Sequence, residues 1–175
     1  MENDFRRWLR LVETLDVLLI EGLPQGGTLY HSTYIMTAAQ ILYKDEISAK
    51  TDHRINGKVS KPGVSLTRSF QFAAEWKPDG AIFAIDGDKL RAQSKLIPID
   101  YYRNRRENEE FVIGAIKPLS RFLTKIIITP ETAAFCQEHD DDLIEGHKDF
   151  EDLLKHPLLT VKAFPFHVPH INPRK

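Results

Sequence analysis

The sequence has a single cysteine, Cys136, among 175 residues. One thiol cannot form an intramolecular disulfide, and no second cysteine completes the paired spacing of a zinc site. The chain therefore has to fold by burying apolar side chains, and a reducing, intracellular setting is expected. We expect Cys136 to be a buried helix residue rather than a nucleophile.

Long apolar runs and an excess of one charge are also missing. Runs such as Ile126-Ile127-Ile128 are strand-sized, and Met1 to Trp8 contain no sustained apolar stretch. We therefore expect neither a signal peptide nor a membrane span, and a cytoplasmic location. Lysine and arginine number 24 against 25 aspartates and glutamates, a net charge of -1. This balance argues against a nucleic-acid coat or a membrane-surface protein.

Length and composition are those of one globular domain. With 42% hydrophobic and 28% charged residues in 175 positions, the chain can bury about two-thirds of its unfolded surface. The sequence contains no internal repeat and no low-complexity linker. We therefore expect a single domain over residues 1–175, long enough to be a self-standing enzyme.

Hydrophobic periodicity and turn residues predict a succession of strands and helices. An amphipathic helix is expected from Asp4 to about Leu15, and the strand Thr28–His31 is expected to lead into a helix capped by Thr33. The polar stretch 44–62 is expected to be a loop, with Asn56-Gly57 as a hairpin-turn signal. Further strands are expected at 63–67, 81–85, 96–100, 109–113, 123–129 and 161–166, and further helices at 70–76, 87–90, 130–139 and 150–155.

Three separated segments place polar and charged side chains on predicted strands. They read Leu29-Tyr30-His31-Ser32-Thr33, Val64-Ser65-Leu66-Thr67-Arg68 and Glu107-Asn108-Glu109-Glu110-Phe111-Val112-Ile113. The first segment has a histidine followed by a small polar residue. The second is a Ser/Thr strand before a short helix, and the third is a glutamate entering an apolar strand. This order resembles the active-site strands of ADP-ribosyltransferases, and the resemblance covers about residues 28–129.

The resemblance implies both a fold and an activity. The fold is α+β, with two packed, mainly antiparallel sheets, flanking helices and a cleft that binds NAD in a bent shape. The activity is transfer of ADP-ribose from NAD to a protein or nucleic-acid acceptor with release of nicotinamide. NAD is the co-substrate and no metal is expected. A small independent transferase of this type would suit a phage or bacterial effector.

Glu110 is the catalytic candidate under this resemblance. A carboxylate beside the nicotinamide ribose can accept a hydrogen bond from its 2′-hydroxyl and stabilise the positive charge that develops at the anomeric carbon. Arginine-modifying relatives carry a second Glu or Gln two positions earlier, where this chain has Asn108, so the acceptor stays open. A frame with Glu109 as catalyst and Glu107 as its paired residue stays open too, since neighbouring strand residues face opposite ways.

The first segment implies contacts to the nicotinamide half of NAD. His31 corresponds to the histidine that orients the nicotinamide ribose, and Ser32 lies next to the position of the carboxamide. Thr33 completes the segment as a further NAD-contacting residue. A lone histidine at a strand end is more often a structural hydrogen-bonding residue, so its role depends on the other two segments.

The second segment implies support for the site. Ser65 and Thr67 share one face of their strand and are expected to brace Glu110 and His31. Arg68 is expected to pair with a pyrophosphate oxygen, because a guanidinium matches phosphate geometry. Many relatives stack a tyrosine on nicotinamide after this strand. Here Phe72 is the candidate, although an aromatic on a short helix is more often a core residue.

Acceptor recognition is expected just before the Glu110 strand, where relatives carry an acceptor-selecting loop. Tyr102 could stack on a base or a protein group, and Arg103, Arg105 and Arg106 supply positive charge. A solvated polar loop is the plainer interpretation of the same residues.

Two other functions are compatible with the sequence. One is NAD-dependent transfer of an RNA 2′-phosphate, as in tRNA phosphotransferase relatives, with which His31 and Arg68 are compatible. The other is a noncatalytic module that binds a nucleotide or a partner on the same fold, since fold resemblance alone does not establish activity. His167 and His170 lack the accompanying ligands of a zinc site, so we expect no metal there.

Overall fold

The computed structural model describes residues 27–50, 54–55, 58–59, 62–99, 109–139 and 149–164. They form a mixed α+β domain built on a seven-stranded sheet, together with a separate two-stranded hairpin. The strands are β1 Thr28–Tyr34, β2 Arg54–Ile55, β3 Lys58–Val59, β4 Gly63–Thr67, β5 Gly80–Asp86, β6 Leu96–Ile99, β7 Glu109–Ile113, β8 Leu123–Ile128 and β9 Leu159–Val161. The helices are α1 Ile35–Lys44, α2 Phe70–Trp76, α3 Gly87–Arg91, α4 Pro130–Glu138 and α5 Asp149–Leu154, and Leu119–Arg121 forms a 3-10 turn.

The large sheet is mostly antiparallel and has a narrow junction in its middle. Its strand order is β6-β7-β4-β1-β5-β8-β9, and β8 and β9 pair in parallel. β1 pairs with β5 along its whole length, from Thr28 opposite Asp86 to Tyr34 opposite Gly80. β1 and β4 share a single registered pair, Tyr30 opposite Thr67. The described residues thus confirm a mixed α+β fold with a mostly antiparallel sheet, and the halves of its seven-stranded sheet meet at this β1–β4 junction.

Three of the described helices, α2, α3 and α4, start with a side-chain cap. Ser69 caps α2 by accepting a hydrogen bond from Phe72 N at 3.1 Å, and Thr129 caps α4 in the same way with Pro130 in its first turn. These caps satisfy backbone amides that have no partner inside the helix. The predicted Thr33 cap of α1 is wrong, because the N-cap residue is Tyr34 and makes no side-chain cap bond. β1 continues through Thr33 to Tyr34 instead of ending at His31.

Apolar side chains pack on both faces of the sheet. The main core lies on one face, where β-strand residues such as Leu66 and Phe83 pack against helices α1, α3, α4 and α5. Cys136 lies fully buried in this core on α4, as predicted. A smaller core lies on the opposite face, where Ala73 and Ala74 of α2 pack on Ile82 and Ile127. We call the first side the main-core face and the second the α2 face.

Most predicted elements are confirmed within the described ranges. β4 and β7 have the predicted bounds, and β2 and β3 pair on either side of Asn56-Gly57 as a hairpin. The last strand is shorter and earlier than the predicted 161–166. The predicted N-terminal helix lies outside the described residues. Among the helices that are described, none is long and apolar enough to cross a membrane.

Candidate functional site

The strand register brings His31 and Glu110 to the same face of the sheet. Glu110 lies opposite Leu66, and Thr67, the next residue of β4, lies opposite Tyr30. Side chains alternate along a strand, whereas directly paired residues share a face. His31, Leu66 and Glu110 therefore belong to the main-core face, on three adjacent strands. The candidate histidine and the candidate glutamate thus lie on the two sides of the narrow β1–β4 junction.

The His31 ring is held by the backbone of β4. Its Nδ1 lies 3.1 Å from the carbonyl oxygen of Ser65. Because a carbonyl only accepts hydrogen bonds, Nδ1 is the donor, and the neutral ring keeps a lone pair on Nε2. Burial of the ring is the largest cause of its lowered pKa, and the positive charge of Lys50 also lowers it, against the opposing effect of the Ser65 carbonyl. His31 is accordingly a neutral hydrogen-bond acceptor at neutral pH.

Glu110 is a buried carboxylate with two arginine partners. The residue is 5% exposed, and it lies among apolar neighbours such as Leu66 and Val112 of the main core. Arg68 binds its Oε1 through both Nε and Nη2, and Arg91 Nη2 lies 3.1 Å from its Oε2. A buried carboxylate without partners is strongly disfavoured, and these two guanidiniums supply the partners.

The two guanidiniums of the Arg68–Glu110–Arg91 cluster are more exposed than its carboxylate. Two guanidiniums face one carboxylate, and their side chains are 26% and 28% exposed while that of Glu110 is 6% exposed. The cations therefore reach solvent beside a carboxylate that hardly does. Such an arrangement can bind an anion, since guanidiniums bind phosphate oxygens in a bidentate manner.

Arg91 was missed by the sequence interpretation. It ends α3, a short helix that Asp86 caps and that Leu90 anchors in the main core. The sequence offers only a lysine- and arginine-containing turn after a buried strand, which is also typical of a solvated helix end. Its approach to Glu110 depends on packing between segments that are far apart in the chain.

The expected bracing of Glu110 by Ser65 and Thr67 is wrong as stated. Both residues alternate with Leu66, and Leu66 is the partner of Glu110, so they belong to the α2 face. The Thr67 hydroxyl accepts a hydrogen bond from Ser69 N at 3.0 Å and so supports the turn into α2. Ser65 does support His31, but through its backbone carbonyl.

Ser32 has a buried hydroxyl on the α2 face. It pairs with Ile82 of the smaller core, whereas the neighbouring His31 pairs with Phe83 of the main core, so the two side chains lie on opposite faces of the sheet. The Ser32 Oγ is shielded from solvent and makes no hydrogen bond within the described part of the chain. Buried hydroxyls usually find partners, so this atom has capacity for a polar ligand group. Thr33, the other candidate of this segment, is buried in β1 opposite Ala81.

Phe72 lies on α2, the helix that packs its buried alanines on the α2 face of the sheet. Its ring stacks on Trp76 with centroids 5.9 Å apart and an interplanar angle of 28°. Phe72 is half-buried and Trp76 is 62% exposed. The described contacts do not join Phe72 to His31 or Glu110, so its stacking on nicotinamide stays a prediction.

Five of the remaining candidates lie outside the described residues: Tyr102, Arg103, Arg105, Arg106 and Glu107. Glu109 pairs in register with Thr67, one position away from the row that holds Glu110.

One further groove is lined by described residues away from these candidates. This groove of about 430 Å³ is lined by Leu42, Tyr43, Asp152, Lys155, His156 and Pro157, on elements that carry none of the candidate residues. Across the described ranges, no three His, Cys, Asp or Glu side chains come together in a way that could hold a metal ion.

The chain was compared with protein-family models, with curated proteins and with solved structures, and nothing matches. The case for a function therefore depends on the residues of this chain and their geometry.

Proposed function

We propose that this protein is an ADP-ribosyltransferase that moves ADP-ribose from NAD to a macromolecular acceptor and releases nicotinamide. One observation carries the proposal. His31 and Glu110 lie on one face of the sheet at the junction where its two halves meet through a single pair, Tyr30 opposite Thr67. A sheet divided at this point also supports an ADP-ribosyltransferase-like fold, with the junction as the cleft that receives NAD.

The polar groups at the junction match the parts of NAD. The Nε2 lone pair of neutral His31 can accept a hydrogen bond from a hydroxyl of the nicotinamide ribose. Arg68 and Arg91 can neutralise the diphosphate that links the two halves of the dinucleotide.

The reaction needs stabilisation of a cation at the ribose C1′. The bond from C1′ to the nicotinamide nitrogen breaks, and nicotinamide leaves as a neutral molecule with the bonding electron pair. The Glu110 carboxylate accepts a hydrogen bond from the 2′-hydroxyl and stabilises the oxocarbenium-like ribose. A lone pair of the acceptor then forms the new bond to C1′, and the acceptor loses its proton to a base or to water. Because Glu110 is buried, solvent screens little of the attraction between its carboxylate and the cationic ribose.

Nicotinamide release tests the proposal. Purified protein is incubated with nicotinamide-labelled NAD, alone and with cell lysate, and wild type is compared with Glu110→Gln and Glu109→Gln. Each variant is first shown to be folded by its unfolding transition. We expect release by wild type and by Glu109→Gln, and a loss of at least about a hundredfold in Glu110→Gln, the scale of removing one electrostatic stabiliser.

The other outcomes are equally informative. Loss of nicotinamide release in Glu109→Gln alone would make Glu109, and not Glu110, the catalytic glutamate. NAD binding without release by wild type, unchanged in Glu110→Gln, would refute the transferase and favour a noncatalytic nucleotide-binding module.

A further inference from the structure

The arginine cluster also affects whether the Glu110 carboxylate can accept a hydrogen bond from a substrate. Arg68 contacts Oε1 and Arg91 contacts Oε2, so both oxygens of the carboxylate already accept charged hydrogen bonds. A ribose hydroxyl that approached Glu110 would compete with these guanidiniums for its lone pairs. The carboxylate therefore becomes a better acceptor for substrate when one guanidinium turns elsewhere.

Arg91 is the partner better suited to turn. It makes one contact to Glu110, at 3.1 Å, whereas Arg68 binds Oε1 through two nitrogens. Arg91 also lies at the last residue of α3, and its side chain is 28% exposed. A long side chain that is partly in solvent and held by a single bond can change rotamer at small cost.

We infer that Arg91 and Arg68 form a diphosphate-binding site, and that a bound diphosphate takes the Arg91 guanidinium away from Glu110. This inference rests on the proposed function for the role of the released carboxylate, but not for diphosphate binding itself. Substrate binding and exposure of the catalytic carboxylate are then coupled. Substrates that lack the diphosphate, such as nicotinamide riboside, leave Glu110 paired and react poorly.

The competition has a consequence that a purely structural ion pair does not share. If diphosphate and Glu110 compete for Arg91, removing the carboxylate charge makes the diphosphate bind more tightly. Removing Arg91 makes it bind more weakly. The two partners of one ion pair thus have opposite effects on the affinity for the same ligand.

Binding of ADP-ribose, measured by titration calorimetry, tests this pair of effects without any turnover. We expect Arg91→Gln to weaken ADP-ribose binding by about tenfold or more, the scale of one charge-assisted hydrogen bond. We expect Glu110→Gln to tighten it by roughly threefold or more, because a like charge is removed from beside the diphosphate. Adenosine, which has no phosphate, provides the comparison ligand and should respond to neither substitution.

Lys89→Gln is the matched control. Lys89 lies on the same short helix, and its ammonium is 3.2 Å from Asp86 rather than near Glu110. Lys89→Gln removes one positive charge two residues before Arg91, so its effect on ADP-ribose affinity should stay within about twofold. An effect as large as that of Arg91→Gln would mean that the general positive charge of the helix, and not Arg91, attracts the ligand, and would overturn the inference.

The remaining outcomes separate this inference from the proposed function. Opposite effects of Arg91→Gln and Glu110→Gln on ADP-ribose binding support the inference even if no nicotinamide is released. Nicotinamide release by wild type combined with unchanged ADP-ribose affinity in Arg91→Gln overturns the inference and leaves the transferase standing. Absence of ADP-ribose binding by folded wild type overturns it outright, and so does weaker binding by folded Glu110→Gln.

Discussion

Replacement of Arg91 by methionine probes the Glu110 cluster through stability. Methionine keeps much of the unbranched apolar stem but removes the guanidinium, so Glu110 loses its partner at Oε2 while keeping Arg68 at Oε1. A hydrogen bond to a charged group contributes about 1.5–3 kcal/mol. Because Arg91 is 28% exposed and Arg68 remains, we expect the free energy of unfolding to fall by about 1–2 kcal/mol.

An exposed ion pair in the same molecule sets the lower reference. Lys155 pairs with Glu151 one helical turn away, and their side chains are 72% and 32% exposed, compared with 6% for Glu110. Exposed pairs of this spacing contribute about 0.3–0.5 kcal/mol. Lys155→Met should therefore cost well under half as much as Arg91→Met, although both remove one positive charge.

Urea unfolding at neutral pH, followed by circular dichroism, gives both values. The double variant Arg91→Met with Glu110→Gln closes a mutant cycle, and we expect a coupling of about 1 kcal/mol between the two positions. Equal costs for Arg91→Met and Lys155→Met, or a coupling near zero, would refute the description of Glu110 as a buried carboxylate that depends on Arg91.

Two further predictions concern the sheet and the histidine. Gly63→Ala places a Cβ 2.2 Å from the carbonyl oxygen of Val112 and 2.4 Å from the ring of Phe111. The substitution should lower the free energy of unfolding by about 1–3 kcal/mol in urea unfolding, and an unchanged value would contradict the β4–β7 register. The pKa of His31 lies below its ordinary value of 6.5 because the ring is buried. As the pH falls, this histidine therefore becomes protonated in the unfolded chain before it does so in the folded protein. Wild-type stability consequently falls as the pH drops below about 6.5. His31→Gln should make this fall shallower by up to about 1.4 kcal/mol per pH unit, and an identical pH slope would contradict the burial of the ring.

The sequence identified elements better than the contacts between them. β7 begins at Glu109 and ends at Ile113 as predicted, because a glutamate pair followed by three apolar residues marks a strand entering the core. β1, in contrast, extends beyond its predicted end at His31. Its extension to Tyr34 is fixed by pairing with β5, and the local sequence has no equivalent signal.

The errors at the site come from register. Alternation correctly groups Ser65 with Thr67, but the face that Glu110 shares depends on its pairing with Leu66. Residues 68–108 separate β4 from β7, so no short turn fixes this register in the sequence. Arg91 was missed for the same reason, since only the packing of α3 brings it to Glu110.

The central claim is that NAD binds at the β1–β4 junction with its nicotinamide ribose between His31 and Glu110. A crystal structure of the protein with an NAD analogue whose nicotinamide–ribose bond cannot be cleaved tests it directly. We predict a ribose 2′-hydroxyl within about 3 Å of a Glu110 carboxylate oxygen, and His31 Nε2 at a similar distance from a ribose hydroxyl. A dinucleotide bound elsewhere, with neither residue in contact with its ribose, would contradict the account.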